Sequence, residues 1–326
     1  MEIEMKDHKI SWLNIPGYKG ETWNPIIGCS KVSEGCDNCY AERMANRLVS
    51  NQKTSVKYAG IIKNRKWSGV LTLASETMYK PFSWKKPRAI FVCSMGDIFH
   101  ESVKQEWIDK VMIIAALRPQ HLFIFLTKRS ERMAQYFAVG KENLLNRWTE
   151  ILHNIDDEYF CICDEDGEPS GAECYIYNRA EGCVKPEHGG WPYNNIWLGV
   201  TAENQERANE RIPILLSIPA VKRFVSIEPM LSDIWLLESD DDFSYNYLDG
   251  SSFCCGMNEP IFDSILDWVI VGGETGPNAR LMHPDWVRSV RDQCKTAGVP
   301  FFFKQYGKKI LGCELDGQTY HEFPKQ

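Results

Sequence analysis

The chain has 326 residues, 44% of them hydrophobic and 25% charged, with a formal net charge of −7. These are the proportions of a globular protein with enough chain for one sizeable core, not of a collagen-like or disordered one. No run of 18 apolar residues occurs, and the N-terminal MEIEMKDHKISW lacks a basic segment followed by an apolar one; neither a membrane span nor a secretory leader is expected, and the cytoplasm is the expected location.

One grammar repeats along the chain: a short apolar, β-rich run ends in polar residues, and an amphipathic helix follows. A weak strand is expected near Glu21–Pro25, then a cysteine-bearing loop and a helix over 37–50 with Asp37 as its N-cap. The strong runs are AIFVCS (89–94), HLFIFLT (121–127), NIWLGVT (195–201), KRFVSI (222–227), DWVIVGG (267–273) and PFFFKQ (300–305). Helical patterns follow at 105–117, 130–138, 203–216 and 284–297. Near-continuous apolar strands alternating with helices predict a parallel sheet with helices on its outer face. A TIM-like β/α barrel, complete or partial, is the expected fold, with a doubly wound open parallel sheet as the alternative. The whole chain, 1–326, reads as one such domain.

Two stretches depart from this pattern. Residues 153–192 hold ten acidic and two basic side chains, and residues 238–263 hold seven acidic and none basic. Both are rich in Gly, Ser, Asp and Asn and read as acidic surface insertions. The remaining 260 residues carry about +8.

In a parallel barrel, working residues stand at the carboxyl ends of strands. Those positions hold Ser94 and Asp97, then Thr127, Lys128 and Arg129, then Thr201, Glu203 and Asn204, then Ser226 and Glu228, then Gly272, Gly273 and Glu274, and finally Lys304 and Gln305. Any one of them could merely cap the helix that follows; the recurrence favours one shared polar site. Glu228 precedes a proline, which biases it to extended backbone. With Lys304 and Glu274 it forms a candidate acid–base set, able to bind a zwitterion or phosphate or to exchange protons. Two glycines after a buried strand, Gly272 and Gly273, would let backbone approach a ligand beside the Glu274 carboxylate, or would simply make a tight turn.

The strongest signal is in GCSKVSEGCDNCYAERMANRL, where Cys29, Cys36 and Cys39 are spaced C-x6-C-x2-C between a strand and a helix. Thiolates at a helix N-terminus are stabilised by its positive end and can hold a soft metal. Three ligands suit a [4Fe–4S] cluster with one open iron, whereas a structural zinc site takes a fourth protein ligand from elsewhere. A second group, Cys161, Cys163, Cys174 and Cys183 with His188 nearby, is spaced C-x1-C-x10-C-x8-C, too tight at its start for a common zinc knuckle. It is either an accessory metal site or a set of free thiols.

Residues 63–88 carry seven cations, Lys63, Arg65, Lys66, Lys80, Lys85, Lys86 and Arg88, against Glu76 alone, with Trp67, Tyr79, Phe82 and Trp84 interleaved. This is a nucleic-acid-binding pattern if the aromatics are exposed, and an ordinary basic surface if they pack inward. No P-loop, G-x-S-x-G elbow, G-x-G-x-x-G fingerprint or H-E-x-x-H pair occurs.

A cysteine loop after the first strand of a β/α barrel resembles the radical S-adenosylmethionine superfamily. That family's usual spacing is C-x3-C-x2-C; here the first interval is three residues longer and the second is kept. Over the body, the segments TWNPIIGCSKVSEGCDNCYAERMA, IFVCSMGDIFH, FLTKRSERM, IWLGVTAENQERANERIPILL, RFVSIEPML, DWVIVGGETGPNARLMHPDWVRSVRDQC and GVPFFFKQYG resemble the uncharacterised phage and prophage gene-product-37/68-like proteins. The superfamily resemblance implies a [4Fe–4S] cluster on Cys29, Cys36 and Cys39. It implies S-adenosylmethionine bound near Ser94, Asp97, Thr201, Gly272, Gly273 and Glu274, and an electron donor such as flavodoxin or ferredoxin. With the phage context and the basic body, it makes a nucleotide or nucleic-acid base the expected substrate, for repair or modification. The rival readings are a zinc-stabilised nucleic-acid- or partner-binding protein and a metal-dependent hydrolase using Asp97, Glu228 and Glu274.

Overall fold

Seven parallel strands form the central sheet of the computed structural model, which describes residues 8–153, 161–163, 169–183, 190–239, 243–254, 264–307 and 312–325. They are β1 (Lys19–Trp23), β2 (Arg88–Val92), β3 (Leu122–Thr127), β4 (Ile196–Thr201), β5 (Lys222–Ile227), β6 (Trp268–Gly272) and β7 (Phe301–Gln305). Every strand neighbours the next one in the chain, so the sheet is wound in one direction with no reversal point. The described ladders leave β1 and β7 as edges, which makes this an open half-barrel and not a closed one.

Side chains alternate across the sheet as strand geometry requires. Ala89, Phe91, Leu122, Ile124, Trp268, Ile270 and Phe302 point to the concave side, and their neighbours Ile90, Val92, Phe123, Phe125, Val269, Val271, Phe301 and Phe303 to the helix side. The helices are α1 (Tyr40–Val49), α2 (Gln105–Leu117), α3 (Ser130–Phe137), α4 (Lys141–His153), α5 (Ala172–Ala180), α6 (Gln205–Leu216) and α7 (Pro284–Ala297). Their ends follow local chemistry. Asn204 accepts from the Arg207 amide at the start of α6, and α7 opens on Pro284 and closes on Gly298 at φ 71°.

The concave side is filled from the amino end. A 3-10 turn, Ser11–Leu13, contacts β1, β2 and β7, and Trp12 meets Phe91 and Trp268 edge-on. Near the C-terminus, Tyr320 and Glu322 run antiparallel along β7, exchanging backbone bonds with Phe303 and Phe301, and Phe323 packs on Trp268. The half-barrel is thereby plugged at the bottom, and its carboxyl end is left for a site.

The two acidic stretches are more than surface insertions. Within the first, α5 buries Ala172, Ile176, Ala180 and the whole of Arg179, whose guanidinium donates to Ala116 O and to Asn195 Oδ1 at 2.8 Å. Within the second, a small antiparallel sheet of Leu237–Ser239, Phe243–Asn246 and Ser252–Cys254 fills the β5–β6 crossover and buries Tyr245 and Tyr247 in the main core. The acidic side chains mask apolar periodicity that does exist there. α1 begins at Tyr40, with Cys39 as N-cap and Asp37 in the preceding turn, so Asp37 does not cap it.

Candidate active site

At the carboxyl end of the sheet lies a cavity of about 410 Å³. Its walls bring together most of the residues singled out in the sequence: Cys29, Cys36, Cys39, Ser94, Asp97, Thr201, Glu228, Gly273, Glu274 and Lys304. Gly272 is one residue removed. Trp12, Phe91 and Leu126 form the floor, and Trp67 and Tyr40 stand at the side.

The cysteine loop is held from three directions. From β3 comes Arg129, nearly fully buried, whose guanidinium donates to Ser30 O (3.2 Å) and Ser30 Oγ (2.9 Å) and lies 3.7 Å from Cys29 Sγ. Arg129 is itself fixed by Asp97 at 3.0 Å and by both oxygens of Glu101. His100 completes this corner. Its Nδ1 accepts from the Ser102 amide, so Nε2 carries the proton and donates to Ser30 Oγ at 2.8 Å.

From β6 comes Glu274, buried, which accepts from Asn38 Nδ2 (2.8 Å) and from Arg280 through its amide, Nε and Nη2. Arg280 Nη2 also reaches Glu34 O at 2.7 Å. Although burial favours the neutral acid, these bonds hold the Glu274 carboxyl below its usual range. From β4 comes Glu203, fully buried, paired with Lys128 (3.2 Å) and Arg211 (3.0 Å), whose charges outweigh its burial and keep its pKa low. Gly35 packs onto that carboxylate so closely that a Cβ there would lie 2.9 Å from Glu203 Cδ.

This arrangement engages the side chains of two residues expected at the site. Asp97 spends its oxygens on Thr127, the Phe99 amide and Arg129, and Glu274 on Arg280 and Asn38. Both carboxylates lie beneath the loop with their oxygens engaged by these donors. Ser94 donates to Asn24 Oδ1, and its carbonyl accepts from Tyr40 Oη at 2.7 Å. Gly273 lacks a side chain because the Tyr306 carbonyl would lie 2.2 Å from its Cβ, so a neighbouring loop occupies the approach. Glu228 and Lys304 are paired with each other, half-buried on the cavity wall, and a Cβ on Gly272 would lie 3.3 Å from Glu228 Cδ. Arg129 stands among the strand-end residues of the sequence, whereas His100, Asn38 and Arg280 carry no motif of their own; partners in these clamps lie up to 246 residues apart.

The three loop thiols line the same cavity. Among the described residues no group of three or more His, Cys, Asp or Glu side chains stands in metal-ligating geometry, so the sulfurs face one space without being gathered. Burial first, then the nearby Asp97, push the Cys29 thiol up to about 12. A buried thiol of this kind needs a bound cation to become a thiolate. A fourth free thiol, buried Cys93, also lines the cavity, so in donor chemistry the set fits both a three-cysteine cluster with one open position and a four-cysteine zinc site.

The acidic-stretch group is not brought into this site: Cys174 and Cys183 are exposed, free thiols, and the side chains of Cys161 and Cys163 lie outside the described residues. The basic stretch is split. Lys63, Arg65 and Lys66 lie on a hairpin packed against α1 beside the cavity. Trp84 is buried at the amino end of the sheet between Lys80, Arg88 and His121. No helix among the described residues is long and apolar enough to cross a membrane.

A family model described as "Protein of unknown function (DUF5131)" matches residues 8–324. The chain belongs to that family. No curated protein and no solved structure matches it. In this DUF5131 chain, the matched range takes in every strand of the sheet and every cavity residue named above.

Proposed function

We propose that this protein is an iron–sulfur enzyme of radical-S-adenosylmethionine type that acts on a nucleotide or nucleic-acid base. The observation that carries the reading is that Cys29, Cys36 and Cys39 all line one cavity at the carboxyl ends of seven parallel strands. The family resemblance drawn from the cysteine loop and the phage-like segments supports it. Cys29, Cys36 and Cys39 would hold the cluster, which when bound supplies the electron for reductive cleavage of the cofactor's sulfonium.

The chain's own contribution is positioning. Arg129, Glu274 with Arg280, and Glu203 beneath Gly35 fix the loop from three sides and hold its thiols at the cavity wall. The Glu228–Lys304 pair offers one anion and one cation to a zwitterionic amino-acid group, and separates when each finds the opposite charge on the ligand. Trp12, Phe91 and Leu126 keep water from the floor. The hydrolase reading is less well supported, since Asp97 and Glu274 have their oxygens already bonded to arginine and amide donors.

The test is oxygen-free reconstitution with iron and sulfide, followed by metal analysis and absorbance. The reading predicts about four irons and four sulfides per chain, abolished when the three cysteines are replaced together by alanine. Stoichiometric zinc with no sulfide uptake would establish the zinc-stabilised alternative instead.

A further inference from the structure

The sequence from Arg43 to Ser75 contains seven cations and no acidic residue, in a chain whose net charge is −7. The fold gathers this segment into one lobe. α1 leaves the cysteine loop at Tyr40, and the hairpin of Ile62–Lys63 and Lys66–Trp67 returns to pack on it. The hairpin is fixed there by Glu42 Oε2 accepting from the Trp67 amide (2.9 Å) and by Asn46 Nδ2 donating to Arg65 O (2.8 Å). Asn64 and Arg65 take positive φ at its tip, 52° and 63°, which projects the flanking side chains outward. Arg47, Lys53, Lys63, Arg65 and Lys66 are exposed. Among the described residues, only Lys57 of the seven pairs with a carboxylate, that of Glu76 at 3.0 Å.

The lobe ends where the cavity begins. Trp67 packs in part on the core cluster that includes Ala41 and Ala45, and its remaining surface lines the cavity wall together with Tyr40 and the three cysteines. Unpaired cations tracking away from an indole at a cavity edge are the components of a single-strand nucleic-acid site: the cations meet phosphates and the ring stacks on a base. An acidic peptide would use the cations alone and leave the indole and the polar strand ends without a purpose. A duplex would present its bases stacked and unreachable from a cavity of 410 Å³.

We infer that α1 and the 62–67 hairpin form a surface for single-stranded nucleic acid, with Trp67 as the stacking platform that guides one nucleotide into the cavity. This deepens the functional reading above, but the binding needs no cluster and is measured on the metal-free full chain, so the two can fail separately.

The experiment is fluorescence anisotropy with a labelled 15-nucleotide single strand, as DNA and as RNA, over a salt series. Wild type is expected to bind at low salt. Replacing Lys63, Arg65 and Lys66 together by glutamate should weaken binding and make the log–log salt dependence shallower by about two units, at about 0.7 per phosphate contact. Trp67→Ala should weaken binding about tenfold, with Trp67→Phe restoring most of it and circular dichroism confirming the fold of each. Replacing Lys80, Lys85 and Lys86, at the far end of the sheet, should change nothing. Absence of binding by wild type would overturn the inference. So would equal affinity for a duplex or for polyglutamate, or a loss at Lys80–Lys86 matching that at the hairpin.

Discussion

Gly35 stands between Glu34 and Cys36 because nothing larger fits over Glu203. A Cβ would meet Glu203 Oε1 at 3.0 Å, and that carboxylate cannot swing aside while Lys128 and Arg211 hold it. Gly35→Ala is therefore expected to cost about 1–3 kcal/mol of stability and to reduce iron uptake, read by urea unfolding and by metal analysis; an unchanged midpoint would show that the loop yields. Arg129→Met leaves the Asp97 carboxylate buried without its cation, at a cost of about 3–5 kcal/mol. Arg129→Lys, which keeps the charge but loses the fork to Ser30 and Glu101, should lose less stability yet still expose Cys29 to alkylation. The cysteines and the strand-end polar groups were legible because their type and spacing carry the signal. The clamps were not: Arg129 stands among the strand-end residues, but its grip on the loop, like that of Asn38 and Arg280, emerges only when strand order sets them against partners distant in sequence.

The elements tell the same story at a coarser grain. Six of the seven strands are visible as apolar runs because both their faces are largely buried, one by helices and one by the concave-side packing around Trp12, whereas β1 is partly exposed and carries only a weak signal. What periodicity could not show is closure: β1 and β7 are separated by a 3-10 turn and flanked by the C-terminal segment, which no local pattern announces. Trp12→Ala removes a side chain packed on Phe91 and Trp268 and should destabilise the fold by about 3–5 kcal/mol; thermal unfolding measures it, and an unaltered transition would show that the plug is dispensable.

At the opposite end of the sheet, His121 is buried against Trp84. Burial, and then the charge of Arg118, push its pKa down from 6.5 to about 4. The unfolded chain therefore takes up this proton first as pH falls. The site's stability is whole above about pH 6.5 and is lost progressively down to about pH 4, by at most about 3 kcal/mol. His121→Gln should flatten unfolding free energy against pH across that window; a variant with the wild-type slope would assign the effect to other groups.

Over the whole molecule, charge and shape are arranged around one end of the sheet. Acidic side chains crowd the β3–β4 and β5–β6 crossovers, while the cation-rich segment from Arg43 to Ser75 lies beside the cavity. The chain's overall acidity thus conceals a basic approach to the site. The amino end is closed by aromatic packing, leaving the carboxyl end, with its three thiols, as the place where chemistry can occur. Electron paramagnetic resonance of the anaerobically reconstituted, reduced protein, with and without S-adenosylmethionine, tests this most directly. A [4Fe–4S]⁺ signal that shifts on addition of the cofactor and vanishes in the triple cysteine variant is the predicted result. A signal indifferent to the cofactor, or no cluster signal at all, would contradict it.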